Sequence, residues 1–223
     1  MGKKVNIGCE DSAGKRVPGR PRSERARQAI LSSTLEFLER KENGFADLTI
    51  EYVAAKAGVG KATVYRWWPT KAALVADAFA GSVTQKLRFP DTGSVSMDMS
   101  QQMHQLVKIL RSRRGHVVSA ILGAGQSDGT LISAFRDRFL KPRRAEAYAT
   151  LRRGIVRGEL PANADLDHVL DALYGPIYMR FLIRHDRLTP SFVDHQCELV
   201  LRGTLPCAVK TADRSLGKAS GGK

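Results

Sequence analysis

Apolar side chains recur at helical spacing along most of the chain. Ile30, Leu31, Leu35 and Leu38 repeat every three to four residues, the period of one helix face. No segment alternates apolar and polar residues long enough to predict a strand. We therefore expect an all-α fold. The predicted helices are 23–40, 50–57, 61–68 and 71–87, followed by helices near 99–112, 115–126, 129–140, 143–157, 166–185 and 190–204.

Capping and helix-breaking residues mark the ends of these helices. Candidate N-caps, whose side chains can accept a hydrogen bond from a free backbone N–H, are Ser23, Thr49, Thr70, Asp128 and Asp165. We expect Asn43-Gly44 to end the first helix, Pro190 to lie in a first turn and Gly175-Pro176 to kink a long helix. Pro, Gly and Ser make 88–98 a loop. The predicted organisation is a flexible basic arm at 1–22, a domain at 23–87, a second domain at 99–206 and a disordered tail at 207–223.

A glycine-containing turn joins two short helices between Thr49 and Trp68. Gly58 stands where the first helix must leave through a left-handed conformation, which glycine adopts without strain. Ala54 is small where the helices would cross, and a small core is completed by Val53, Val59, Val64 and Trp68. This pattern is typical of a helix-turn-helix unit, which places its second helix in the major groove of DNA. The residues left outward on that helix are Lys61, Thr63, Tyr65 and Arg66.

The charge of the chain suits a polyanionic partner but does not locate a binding face. Lys and Arg number 36 against 22 Asp and Glu, a net charge of +14, which fits DNA, RNA or an anionic membrane. The excess is spread over the whole chain. The three cysteines show no CxxC spacing, and the five histidines form no HxxxH or HExxH pair. We therefore expect neither a disulfide framework nor a metal site.

Other functional motifs fail on inspection. The stretch at 58–63 does not fit a phosphate-binding P-loop, which would require Gly at position 55 and Ser or Thr at position 62, where this chain has Ala at both. No GxSxG motif occurs and no nucleophile stands out, so we expect neither a cofactor nor an enzyme. The chain shows no signal sequence and no run of 18 apolar residues. A cytoplasmic protein without a membrane partner is therefore expected.

The run LTIEYVAAKAGVGKATVYRWWPTKAALVADAF resembles the DNA-binding signature of the TetR family of bacterial transcriptional regulators. The likeness rests on Thr49, the AxxAGV stretch at 54–59, Thr63, Tyr65 and the WPTK stretch at 68–71. It begins near Ser23, and the rest of the chain resembles the family only in being helical. The resemblance implies an N-terminal three-helix helix-turn-helix domain and a larger C-terminal helical domain for ligand binding and dimerisation.

The resemblance also implies roles for individual residues. Phosphate contacts would come from Thr49, Tyr65 and Lys71, with Trp67 touching the DNA backbone. The groove would be faced by Lys61, Ala62, Thr63 and Arg66. Arg20 and Arg22 belong to a segment like the arms that some members lay in the minor groove, where arginine is electrostatically favoured.

Each of these roles has a structural alternative. Tyr65 could be a core aromatic, Lys61 and Arg66 could be solvated charges, and Trp67 fits either description. The arm could be a simple leader sequence. The basic run at 136–157 is typical of a solvated face, although it could instead attract an anionic ligand.

The second domain carries the dimerisation and ligand predictions. In the TetR family the last two helices pair with their copies across a two-fold axis, which suits a palindromic operator. The corresponding residues here are the apolar face of 166–185, which is Leu166, Val169, Leu170, Leu173, Ile177 and Phe181, and the positions Phe192, Gln196, Leu199, Val200 and Gly203 of 190–204. The alternative is that these faces belong to the core of a monomer.

A cavity for a small hydrophobic effector is implied by the family. Its candidate wall residues, each of which also fits ordinary core packing, are Met103, Val107, Leu122, Phe135, Tyr148, Tyr174 and Tyr178. We expect a homodimeric, ligand-responsive regulator, a repressor that a small molecule releases from a palindromic operator. The alternative is an effector-independent nucleoid-associated or interaction protein on the same scaffold.

Overall fold

The computed structural model describes residues 20–40 and 44–203, and in this part of the chain every regular element is helical. The all-α prediction is confirmed. The α-helices are α1 (Arg20–Arg40), α2 (Gly44–Asp47), α3 (Ile50–Ala57), α4 (Lys61–Trp67), α5 (Lys71–Val83), α6 (Val95–Leu110), α7 (Arg113–Gly125), α8 (Gly129–Phe135), α9 (Lys141–Val156), α10 (Leu166–Ile183) and α11 (Pro190–Gly203). A 3₁₀ turn, Thr84–Leu87, follows α5, and a π-helical segment, Arg136–Leu140, joins α8 to α9.

Most of the predicted caps are confirmed. The side chains of Thr49 and Thr70 accept hydrogen bonds from the backbone N–H groups of Tyr52 and Ala73, at 3.2 and 3.1 Å. Asp128 and Asp165 cap α8 and α10 in the same way. Pro190 begins α11. Pro176 lies within α10, which continues through it as one helix, and the kink stays a prediction.

The largest differences from the sequence prediction are the starts of α1 and α6 and one additional helical turn. Helix α1 begins at Arg20, so Ser23 is not its cap; Pro21 lies in the first turn, where its missing N–H costs nothing. Helix α6 begins at Val95 and not at 99, because Ser94 accepts a hydrogen bond from the backbone N–H of Met97 and caps it. The single turn α2 was not predicted.

Two predicted segments fall largely beyond the described residues. Residues 1–19 of the proposed arm, Asn43 and the tail at 207–223 lie outside them. Among the described helices, none has the length and apolarity that crossing a membrane would require.

Helix α5 is the central element between the two halves of the molecule. Almost all of its side chains are buried, because it packs against α1 on one side and against α8 and the π-helical segment on the other. Phe79 of α5 contacts Phe135 and Phe139, with ring centroids 5.9 and 5.0 Å apart. Helices α1 and α2 also pack against α7. Helices α1 and α2 are therefore braced directly by the C-terminal half, and α3 packs against α1.

Candidate functional site

Helices α3 and α4 form the predicted helix-turn-helix unit. Gly58 has φ of 66° and ψ of 35°, so α3 ends in the left-handed conformation that the sequence predicted. The N–H of Val59 donates to the carbonyl of Ala54 at 3.0 Å, which satisfies the free end of α3. Val53, Ala54 and Val64 are buried. The turn is therefore fixed both by its backbone conformation and by the apolar contact beneath it.

The outer face of α4 is polar and accessible. Lys61, Ala62 and Arg66 are exposed and Thr63 is half-buried. Tyr65 is 49% exposed, which excludes its alternative role as a core aromatic. Hydroxyl, ammonium and guanidinium groups on one short helix can donate hydrogen bonds to phosphates and base edges.

An ion pair that the sequence analysis missed crosses the two helices. Lys61 Nζ lies 2.8 Å from a carboxylate oxygen of Glu51, and both side chains are 58% exposed. The hydrogen bond raises the pKa of Lys61 and lowers the pKa of Glu51, so the pair is fully charged near neutral pH. A DNA phosphate approaching Lys61 would have to compete with Glu51. The signal in the sequence was a Glu in the first turn of α3, one helix before a Lys in the first turn of α4.

Lys71 has contacts within the protein. Its Nζ donates to the carbonyl oxygens of Phe45 and Ala46, at 2.8 and 3.4 Å, and lies 4.5 Å from the centroid of the Phe45 ring. An ammonium group has three N–H donors. The Lys71 side chain therefore ties α5 to α2 and retains one donor for a phosphate.

The two tryptophans at the end of α4 differ in exposure. Trp67 is 37% exposed, whereas Trp68 is 1% exposed and belongs to the core, as predicted. The guanidinium of Arg27 lies 5.9 and 5.8 Å from the two ring centroids, which attaches α1 to the end of α4. Arg20 and Arg22 lie in the first turn of α1.

A single carboxylate links the end of α4 to the C-terminal half. The indole Nε1 of Trp68 donates to Asp77 Oδ2 at 2.7 Å, and Arg138 Nη1 lies 2.7 Å from the same oxygen. Asp77 belongs to α5 and Arg138 to the π-helical segment. Sequence reasoning missed this contact, because Arg138 lies far from Trp68 in the chain and within a basic run that was interpreted as a solvated face or an anion-attracting surface.

A cavity lies on the other side of the π-helical segment. Apolar side chains form most of its wall, and they include Phe139 and Leu140 of that segment. The lining residues are Leu87, Phe89, Gln102, Leu106, Phe139, Leu140, Arg143, Arg144, Ala147, Tyr174 and Tyr178. Such a mixture of apolar walls and a few polar groups is typical of a small-molecule site.

Two of the seven predicted wall residues, Tyr174 and Tyr178, line this cavity. Burial raises the pKa of Tyr178 to about 12 and raises that of Tyr174 as well, so both phenols are uncharged. Leu122 and Phe135 instead line an adjoining hollow, to which Tyr174 and Tyr178 also contribute.

The other three predicted wall residues lie elsewhere. Met103 and Val107 are buried, with Met103 Sδ 3.3 Å from Cys197 Sγ. Tyr148 donates a hydrogen bond to Asp167. Sequence reasoning missed Gln102 and Arg143. Gln102 carried a readable signal, since it is a polar residue within the apolar face of α6.

The predicted dimer face of α10 needs correction. Val169, Leu170, Leu173 and Ile177 are buried within the chain, so the monomer-core alternative holds for them. Four large apolar side chains on the last two helices are exposed, and of these Leu199 was a predicted dimer-face residue whereas the other three were not. They are Met179 at 60%, Leu182 at 44%, Ile183 at 66% and Leu199 at 72%.

Known proteins resemble the chain over both halves. The family description "Bacterial regulatory proteins, tetR family" matches residues 30–78, and "Tetracyclin repressor-like, C-terminal domain" matches 89–200. The HTH-type transcriptional regulator YdeS of Bacillus subtilis is 42% identical, covering 78% of this chain and 87% of its own. The DNA-binding transcriptional repressor TetR of Mycobacteroides abscessus is 30% identical, covering 67% and 77%. The crystal structure of the TetR family transcription regulator SCO0332 has a TM-score of 0.72 and 34% identity, covering 82% and 100%.

Proposed function

The chain belongs to the tetR family of bacterial regulatory proteins, and from this premise we propose that it is a homodimeric repressor that a small molecule releases from its operator. It is a transcriptional regulator with a DNA-binding helix-turn-helix unit. The proposal gives the chain no catalytic step and places it in the cytoplasm. Repression is supported by the relative that is named a repressor.

The DNA-contacting surface proposed is the outer face of α4 with the ends of its neighbours. Its residues are Arg20, Arg22, Thr49, Lys61, Ala62, Thr63, Tyr65, Arg66, Trp67 and Lys71. The exposure of Lys61, Tyr65 and Arg66 above a buried Val64 supports this assignment, because the side chains that fold the unit are separate from those that can reach DNA.

The observation that carries ligand control is the shared carboxylate of Asp77. It accepts the indole N–H of Trp68, at the end of α4, and pairs with Arg138. The next two residues, Phe139 and Leu140, line the cavity. A ligand that displaces this segment would therefore change the ion pair of Asp77, the carboxylate that holds the end of α4.

Release from DNA requires that the ligand prefer one of two conformations. A ligand that binds both equally shifts nothing, however tightly it binds. The π-helical segment suits such a change, because π-helical turns are rare, local interruptions that recur at functional sites. In the proposed mechanism, ligand favours a conformation in which the two α4 helices of a dimer no longer match the spacing of the operator half-sites.

The dimer proposed uses the exposed apolar side chains of α10 and α11. Met179, Leu182 and Ile183 are exposed within little more than one turn at the end of α10, and large apolar side chains exposed close together can mark an interaction surface. Leu199→Glu and Met179→Glu would place charges in that contact. We expect the double variant to sediment as a monomer and the unchanged protein as a dimer, while equal masses would contradict the assignment.

The operator can be identified by selecting the genomic fragments that the full chain binds. A reporter gene is then placed behind the selected sequence, and its expression is measured with and without the protein. A repressor lowers reporter expression. Increased expression would contradict repression, and unselective recovery of fragments would favour the nucleoid-associated alternative.

The Asp77 link can be tested by a double-mutant cycle on operator affinity. Trp68→Phe removes the indole donor and Arg138→Gln removes the charge, so both act on Asp77. We expect their effects to be non-additive, with a coupling of at least about 0.5 kcal/mol. Lys141→Gln is the matched control, since Lys141 pairs with Asp137 and not with Asp77. Its effect should add to that of Trp68→Phe. Additivity in both cycles would contradict the proposed coupling of Arg138 to the end of α4 through Asp77.

A further inference from the structure

We propose that the cavity beside the π-helical segment takes an uncharged, mainly apolar molecule whose carbonyl oxygen accepts a hydrogen bond from Gln102. This inference rests on the proposed function and names the chemical class of its effector. It is carried by two observations. Two donors in the cavity, Gln102 Nε2 and the Tyr178 hydroxyl, have no acceptor among the described residues, and its arginines are already paired with acids.

The amide of Gln102 has one group with a partner and one without. It is 3% exposed, and its Oε1 accepts a hydrogen bond from the Tyr174 hydroxyl at 2.5 Å. Its Nε2 has no acceptor among the described residues. Gln102 lines the cavity, so a ligand oxygen that accepts from Nε2 would add a hydrogen bond that the protein itself does not supply.

Tyr178 supplies a second open donor. It lines the same cavity, and its hydroxyl has no hydrogen-bond partner among the described residues. Because burial raises its pKa to about 12, the hydroxyl keeps its proton at neutral pH. A carbonyl oxygen has two lone pairs and can accept more than one hydrogen bond.

The two arginines of the cavity are already paired with acids. Arg143 donates to the carbonyl oxygen of Leu87 at 2.8 Å and forms an ion pair with Glu146. Arg144 forms ion pairs with both Asp167 and Asp171. A ligand carboxylate would lose its hydration without finding an unpaired cation, and that loss is costly. The cavity is therefore expected to reject anions of the same shape.

Three probes of similar size represent a neutral carbonyl compound, an anion and a hydrocarbon: acetophenone, benzoate and isopropylbenzene. Dissociation constants for the full chain can be measured by ligand-detected NMR titration. We expect acetophenone to bind about tenfold more tightly than isopropylbenzene, as one added hydrogen bond allows. Benzoate should bind at least about tenfold more weakly than acetophenone.

Substitution at Gln102 tests the donor directly. Gln102→Leu should weaken acetophenone binding toward that of isopropylbenzene, with the Tyr178 donor retained, and leave the affinity for the hydrocarbon unchanged. Gln101→Leu is the matched control, because Gln101 is its exposed neighbour on α6. Tyr178→Phe keeps the ring and should reduce only the affinity for acetophenone, which preserves the test if Gln102→Leu fails to fold.

Several results would overturn the inference: benzoate binding as tightly as acetophenone, equal affinity for ketone and hydrocarbon, or no saturable binding of any probe. Measuring operator affinity with and without bound probe distinguishes a wrong ligand class from a wrong proposed function. Benzoate that binds and releases DNA would contradict the ligand class alone. Acetophenone that binds as expected but leaves operator affinity unchanged would contradict ligand control alone.

Discussion

The two halves of the molecule use buried side chains for different purposes. In the helix-turn-helix unit, the buried set of Val53, Ala54, Val64 and Trp68 holds two short helices in place. In the C-terminal half, the buried set includes Gln102 and Arg143, polar side chains that border a cavity. The first half presents its chemistry outward, and the second half encloses it. Substitutions in the core of the first half should therefore affect folding, and those on its surface should affect binding.

The largest effect is expected at Trp68. Trp68→Ala removes a buried indole and its hydrogen bond to Asp77, so we expect a loss of about 3–5 kcal/mol in the free energy of unfolding. Trp67→Ala is the matched control and should cost less than about 1 kcal/mol, because Trp67 is 37% exposed. Denaturant unfolding measures both. Equal losses at the two positions would contradict the division between core and surface.

A smaller effect is expected at Gly58. Nothing lies within 4 Å of a Cβ built there, so Gly58→Ala should act through its φ of 66° alone. The expected loss in unfolding free energy is about 1–2 kcal/mol. Gly60 is equally open but has φ of −77°, so Gly60→Ala should be nearly neutral. A neutral Gly58→Ala would show that the turn does not require a left-handed residue.

The smallest effect is expected at Glu51. Removing its carboxylate with Glu51→Gln frees Lys61 for a phosphate, so operator affinity should rise about threefold. The dependence of affinity on salt should also become steeper. Glu36→Gln, which removes an acid paired with Arg40 on α1, is the control and should leave affinity unchanged. Weaker binding by Glu51→Gln would instead indicate that the carboxylate itself contacts DNA.

The sequence predicted the first half better than the second for a physical reason. Gly58, Thr49 and Thr70 act on neighbours a few residues away, so their roles can be read from local spacing. The same holds for the apolar core of the turn, whose members lie within one short segment. The Ser94 cap was also local and was missed only because its loop was predicted to be longer.

The contacts of the C-terminal half join residues far apart in the chain. Gln102 meets Tyr174, and Arg138 meets Asp77. No spacing rule predicts such pairs, and α10 shows the consequence. Its most regular apolar face turned out to be core, while Met179 and Ile183, outside that pattern, are exposed. Helical periodicity finds the buried face of a helix but not the partner that covers it.

The central claim is that the exposed face of α4 contacts DNA, and operator titration of Tyr65→Ala tests it most directly. With a fluorescently labelled operator at fixed salt, we predict a loss of about 1–3 kcal/mol in binding free energy. Lys61→Ala should weaken binding as well, and the unfolding free energy of both variants should match that of the unchanged protein. Unaltered affinity in both variants would contradict the assignment of α4 as the DNA-reading helix.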